Sequence, residues 1–494
     1  MPKNSRTSQL FGAALVVASA AASSSCIVEP ETIPGVQTFS VKVLSVNGGD
    51  VPKANAPFPA NTGDRVDTLA IDVVAVDSTG NRIDFDGLVH LSIEPGAIIG
   101  IIGSDGSVGG RDLRLKNGRA KVDVQVTAVY GETYLVVEDL GYRPAKAGET
   151  PACANGVNDD PDEDVLIDFP ADPGCAFAND DSEQSGTYAG GTSRPIQFEL
   201  PTIREVQGKT ETPFIYEGLE VKTAAPQVMV VTRIARDGFY VTDVTDQGLG
   251  NNHLFAFSFS TPPGLRVCDR VTYLAGTMSE FFGFTSMNFP SFRAEPLFEG
   301  DEELCLVPEP VLLDAEGLET PPIANDGLME AQESGLVRVE GFSVTNNFGP
   351  EPANGNVFEP DRTNCDLNGD GVVDFQSEDE ASCGILCSAD PECTEWTQYV
   401  ARGNYKVHRG SRMIQVQTDG APGFNPVANR GTIMRAISGT LRNFSGGSLN
   451  WTIEARCPAD LVCDAEGCVD EIKPSNEACV SLRPTEDDND EGTN

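Results

Sequence analysis

Histidine is almost missing from this chain: 494 residues contain 3, His90, His253 and His408, far apart in sequence. A histidine-based metal centre or a Ser-His-Asp arrangement would need distant segments to converge, so neither is expected. Aromatic residues make up 7% and tryptophan occurs 2 times. Basic residues are scarce beside acidic ones, 34 Lys and Arg against 75 Asp and Glu, for a formal charge of −41. The molecule as a whole therefore repels nucleic acid and anionic lipid. After residue 26 no apolar run is long enough to span a bilayer. Gly-x-Ser-x-Gly, His-Glu-x-x-His and a phosphate-binding Gly loop leading into a helix do not occur. Only a carboxylate pair for glycoside hydrolysis stays open, because so many acids allow any pairing. The expectation is a protein without a catalytic residue.

What is abundant points to strands and turns: 50 Gly and 33 Pro, with no long helical periodicity, in a chain long enough for three or four domains. From 36 to 145, segments Phe39–Val46, Leu69–Val76, Leu88–Ile93, Ala120–Val126 and Thr133–Val137 alternate apolar and polar residues. Turn signals such as Ser78–Asn81 and Asn117-Gly118 separate them, the rhythm of a β-sandwich. From 196 to 300, Val228–Ile234, Phe239–Asp243, Leu254–Phe259 and Arg266–Gly276 lead into Glu280–Thr285, a set that fits a small barrel. Segments 305–346 and 397–456 read as a second such unit, split by an insertion at 347–396. The fold class expected is all-β and multidomain: a β-sandwich followed by barrel modules with Cys-rich inserts.

The start of the chain, residues 1–25, has the form of an export signal, with Lys3 and Arg6 ahead of the apolar Leu10–Ala22 and small residues before Cys26. Residues 26–35 read as a tether. Of 13 cysteines, removing Cys26 leaves an even dozen, all from Cys153 onward, which suits disulfides in an oxidising compartment. Sequence neighbours suggest Cys153–Cys175 and Cys268–Cys305. Two bridges each are expected among Cys365, Cys383, Cys387 and Cys393 and among Cys457, Cys463, Cys468 and Cys479, with pairing open. Their spacings match zinc knuckles poorly. Residues 457–480 form a Cys-rich cap, and the acidic 481–494 is expected to be disordered.

Two acidic stretches have the spacing of a calcium loop. Asp366, Asn368, Asp370 and Asp374 fall at positions 1, 3, 5 and 9, with Gly371 at the sharp turn and Val372 offering its carbonyl. Within the insert 150–185, Asp160, Asp162, Asp164 and Asp168 take the same places and Leu166 the carbonyl position. Position 12 lacks its Glu in both, and Asp172 and Glu378 stand one place later. Calcium is the expected cofactor, at roughly 10⁻⁴ to 10⁻³ M.

Several of these segments resemble known ones. The small residues before Cys26 resemble a bacterial lipoprotein signal, with Ser23 where Leu is usual, and imply lipid attachment at Cys26. Residues 153–175, ending Asp-Phe-Pro-Ala-Asp-Pro-Gly-Cys, resemble an Asp-rich segment of myxobacterial surface proteins; the second stretch is similar to a dockerin-type loop. The sandwich resembles bacterial immunoglobulin-like domains. Phe239–Asp243, Asp269-Arg270-Val271 and Glu280–Thr285 resemble OB-like modules ahead of the catalytic domain in predicted extracellular nucleases, with Cys268 where Gly is usual, and Glu333–Gly341 resembles the opening strand of a further one. The chain ends before any such catalytic domain.

The expected function is thus a non-catalytic, calcium-stabilised, lipid-anchored protein of the cell envelope, at the outer membrane or cell surface, contacting a protein or glycan and tied to the membrane by its lipid alone. The alternative is an accessory that binds nucleic acid or another polyanion, for which Arg409, Arg412, Arg430 and Arg435 in the locally basic 398–456 are the candidates; self-docking onto the chain's own acids competes with it. Mass spectrometry of the membrane fraction should find a diacylglyceryl N-terminus at Cys26. A mature chain starting elsewhere would rule the anchor out.

Overall fold

The computed structural model describes residues 38–484 except 105, 147, 160–165, 176, 184–188, 208–217, 247–249, 282, 314–325, 345–402, 411 and 444–450. Cys26, Asp160, Asp162, Asp164, Asp366, Asn368, Asp370, Val372, Asp374, Glu378, Cys365, Cys383, Cys387 and Cys393 lie outside the described residues.

The chain is all-β and multidomain. Its first unit is a two-sheet sandwich. Strands β1 (Thr38–Val46), β2 (Asp67–Val76), β4 (Ala97–Ile102), β5 (Val108–Gly109) and β7 (Arg119–Thr127) make one sheet in the order β1-β2-β7-β4-β5. Strands β3 (Gly87–Glu94), β6 (Asp112–Leu115) and β8 (Glu132–Asp139) make the other, joined by β9 (Gly191–Thr192) and β10 (Ile196–Gln197), which both pair with β8. Alternation places Phe39, Leu69, Ile71, Val73, Leu91, Val124, Val126, Leu135 and Val137 in one core between the sheets, where Phe198 joins them. The sandwich therefore runs past 145, the boundary suggested by its sequence, and the acidic insert is an excursion before its last short strands. Besides the short β5, β6, β9 and β10, the sequence reading missed β4: Ala-Ile-Ile-Gly-Ile-Ile has no alternation, so periodicity gives it no signature.

The second unit is a closed barrel. Strands β12 (Met229–Ile234), β13 (Gly238–Asp243), β14 (His253–Phe257), β16 (Thr285–Glu295) and β15 (Arg270–Glu280) form a ring, with β14 parallel to β16 and β15 pairing with both β16 and β12. The short β11 (Leu219–Glu220) lies outside β15. That order is the Greek-key path of an OB-type barrel. Val231, Phe239, Val241, Leu254, Ala256 and Met287 fill the interior, and Ala60 and Tyr130 of the sandwich pack against the same cluster. The fifth strand begins at Thr285, where the sequence pattern had ended; Phe281 and Phe284 exchange backbone hydrogen bonds between β15 and β16.

The third unit repeats the path. Strands β18 (Leu336–Val344), β19 (Asn404–Arg409), β20 (Arg412–Gln417), β22 (Trp451–Glu454) and β21 (Ile433–Asn443) close through the β18–β21 pairing, and β20 is parallel to β22. β17 (Val311–Leu312) flanks β18 and β23 (Leu461–Val462) flanks β21. β19 and β20 form a hairpin, with Asn404 opposite Gln417 and Arg409 opposite Arg412. The expected excursion 347–396 falls between β18 and β19.

Disulfides Cys153–Cys175 and Cys268–Cys305 form as expected, and the cap pairs Cys457 with Cys479 and Cys463 with Cys468. Cys268 has φ +80°, a backbone conformation glycine favours. Within the tail expected to be disordered, the described residues 481–484 are placed: Arg483 bonds both oxygens of buried Asp269, at 2.5 and 2.7 Å, and its backbone pairs with Phe298.

Between the barrels sits a buried acid. Glu333, just after the helix α2 (Asp326–Ala331), accepts from Gln207 Nε2 at 2.8 Å and Thr285 N at 3.1 Å; Gln207 ends the helix α1 (Ile203–Gln207). Burial, reinforced by Glu330, holds its carboxyl well above the ordinary 4.5. The folded state thus keeps a proton that the unfolded chain releases above 4.5, so this group's contribution is complete below that pH and declines as pH rises toward the folded value. Glu333→Gln cannot ionise and keeps the acceptor. Its Tm should exceed the wild type's at pH 7 and match it near pH 4; equal Tm values at pH 7 would contradict the assignment.

Candidate binding face

The outer surface of β13 and β14 carries aromatic residues because strand alternation sends every second side chain outward. Phe239 and Val241 point into the barrel, whereas Tyr240 and Phe255 face away from it. Yet Tyr240, Phe255 and Phe284 are buried, since the third unit lies over them. The Arg442 guanidinium sits 5.4 Å from the Phe255 ring centroid and 4.8 Å from that of Phe284, and Arg233 stands 5.5 Å from that of Tyr240. Glu454 closes the arrangement: it bonds Arg233 directly and lies 3.7 Å from Arg442. Burial pushes the Tyr240 phenol far up, so it stays neutral.

The aromatic series continues out of this interface. Phe255, Phe257 and Phe259 follow at centroid distances of 6.1 and 4.3 Å, and Phe259 meets Phe289 at 5.2 Å. Phe259 and Phe289 are 62% and 69% exposed, with φ of +60° and +52°. Left-handed backbone costs a bulky residue on the order of 1–2 kcal/mol, and leaving both rings in water forgoes their burial. Ser258, Ser260, Thr261, Asn288 and Ser291 are their uncharged sequence neighbours.

The other sequence-predicted residues are dispersed. Arg409 and Arg412 are register partners at the β19–β20 turn, where Arg409 donates to the Glu340 carbonyl. Arg435 pairs with Asp464 at 3.3 Å, and Arg430 precedes β21. His90 meets Asp112 at 2.8 Å on the sandwich. His253 is buried at the start of β14, donating to or accepting from Thr242 Oγ1 at 2.8 Å, and burial pushes it down to about 4. His408 is on the other barrel.

In the acidic insert Leu166 is exposed, and Asp168 accepts from the backbone N–H groups of Asn155 and Gly156. Asp172 is buried. An oxygen of Asp172, one of Glu183 and the Cys175 sulfur lie within 4.8 Å of one another, a grouping with the spacing of a metal site. Cys175 offers no thiolate, because it is bonded to Cys153. Sequence reading missed Glu183, since it lies beyond the cysteine taken to close the motif.

No protein-family model matches the chain. No curated protein matches it. Among solved structures, a variant of the major pilin subunit of Bacillus cereus matches 53% of this chain and 67% of its own length, at 9% identity and a TM-score of 0.16. A score that low carries no argument about function. Among the described residues no helix is long and apolar enough to cross a membrane.

Removing one partner of a buried ion pair strands the other's charge. Glu454→Ala, which leaves the buried Arg233 guanidinium without its carboxylate at the interface, should lower unfolding free energy by about 3–5 kcal/mol. Arg233→Met combined with Glu454→Leu should cost much less in the same urea titration.

Proposed function

We propose that this protein is an exported, non-catalytic component of the cell envelope that holds a protein or glycan on the Phe259–Phe289 edge of its first barrel. The observation that carries this reading is the pair itself: two large rings, side by side, exposed, and both held in a backbone conformation that costs energy. Strain kept at exposed aromatics is the signature of a contact surface, not of packing. An uncharged glycan fits best. The residues next to them in sequence offer hydroxyls and amides, sugar rings present CH faces to aromatic rings, and a charge of −41 repels polyanions. The disulfides support an oxidising, extracytoplasmic setting. Calcium belongs to this reading as a structural ion of the acidic inserts, and lipid at Cys26 as the only membrane tie.

The polyanion alternative has less support, since Arg435 is engaged by the chain's own Asp464 and Arg409 by a backbone carbonyl. Native gels containing neutral polysaccharides (dextran, mannan, laminarin), heparin or single-stranded DNA separate the readings. At least one neutral polysaccharide should retard the wild type, and Phe259→Ser with Phe289→Ser should weaken retention on the order of tenfold per ring. Retardation by heparin or DNA alone, lost on replacing Arg409 and Arg412, would establish the alternative instead.

A further inference from the structure

The insert between β8 and β9 folds back onto the sandwich through a specific set of contacts. Asp180, fully buried, accepts from the Arg143 backbone N–H at 2.7 Å, and its own carbonyl accepts from Cys153 N at 3.1 Å. Asn179 Nδ2 donates to the Tyr142 hydroxyl at 3.0 Å, and Phe177 stacks edge-on against Tyr142. The Cys153–Cys175 bond then closes the loop. Inside the fold so formed lie the carboxylates of Asp172 and Glu183, each with 2% of its surface exposed. Asp172 Oδ1 accepts from Gly174 N at 2.7 Å and Glu183 Oε2 from Asp159 N. The remaining oxygens, Asp172 Oδ2 and Glu183 Oε1, are buried with no hydrogen-bond partner.

Two neighbouring anionic side chains buried with unsatisfied oxygens are strongly unfavourable unless a charge of opposite sign is present. Gly174 shows how closely the backbone has been drawn together there, since a Cβ on it would stand 1.5 Å from the Glu183 carbonyl oxygen. Oxygens bound to one calcium at 2.3–2.6 Å lie at most about 5 Å apart, a limit that the 4.8 Å grouping meets. The donors are carboxylates and the nearby sulfur is oxidised, which selects a hard cation and disfavours zinc or copper.

We propose that Asp172 and Glu183 hold a calcium ion, and that this ion, not the spacing-defined ligand Asp168, fastens the acidic insert. Asp168 instead fixes the backbone at Asn155 and Gly156. Glu183 stands beyond the disulfide loop, so the ion joins the cysteine-bounded segment to the chain that returns to β9. The assignment rests on the calcium part of the proposed function and is independent of the aromatic edge. Asp160, Asp162 and Asp164 are not needed for it.

The test is calorimetry of the full chain, stripped with EDTA and titrated with calcium chloride, on the wild type, Glu183→Gln, Asp172→Asn and Asp370→Ala. The wild type should gain Tm with calcium. Glu183→Gln and Asp172→Asn should each lower that gain and bind calcium at this site at least about tenfold more weakly, whereas Asp370→Ala should retain the part of the gain that those two variants lose. Thiol labelling of each unreduced variant, matching the wild type, shows that the cystines have formed. A wild-type response undiminished in both Glu183→Gln and Asp172→Asn would overturn this site and leave calcium to the second insert. No wild-type response would overturn both. A variant with higher Tm than the wild type, with or without calcium, would mean a proton shared between the carboxylates instead of an ion.

Discussion

The two barrels are held as one body by a buried charge cluster: Arg233 from the first, Glu454 and Arg442 from the second, laid over Tyr240, Phe255 and Phe284. Desolvated ions bind strongly only where geometry and partners are complete, so this contact is selective in a way that an apolar patch of equal area is not. It also decides which part of the aromatic surface is free. The inner rings serve as the floor of the interface, and those at its margin, Phe259 and Phe289, stay in water. The exposed aromatic edge and the domain interface are thus portions of a single stripe, divided by the footprint of the second barrel.

How far the sequence could be read depended on whether neighbours in the chain were neighbours in space. Strands β1, β2, β3, β7 and β8 alternate and were legible, as was β12–β13 with its turn near Asp237-Gly238. β4 was hidden because a run of isoleucines has no period of two. β16, Thr-Ser-Met-Asn-Phe-Pro-Ser-Phe-Arg-Ala-Glu, was hidden because it contains Pro290 and more polar than apolar side chains. β9 and β10 are too short to announce themselves. Of the sites, cysteine pairs close in sequence were readable, while Arg233 and Glu454 lie 221 residues apart and Glu183 lay outside the assumed motif. Residue type gave the chemistry in each case; the partner was a matter of folding.

The long excursions are handled in two ways. The sandwich insert is anchored at its root by Arg143, Asp180 and Tyr142 and tied across by Cys153–Cys175. The cap after β22 is stapled twice and adds β23 to the edge of β21. Neither segment has a large apolar core, so covalent and polar constraints take its place, the usual recourse of small units with little to bury.

The Arg483–Asp269 clasp has a mechanical meaning. It returns the chain to the first barrel at Arg483, after the third unit and its cap have been completed. Tension applied C-terminal to Arg483 is therefore delivered first to the ion pair with Asp269, just ahead of β15, and to the short backbone pairing with Phe298, just after β16, and not to the β18–β21 closure of the second barrel. While the clasp holds, the second barrel forms a side loop out of the line of force, so a chain fixed ahead of the first barrel and loaded beyond Arg483 would shield it from extension.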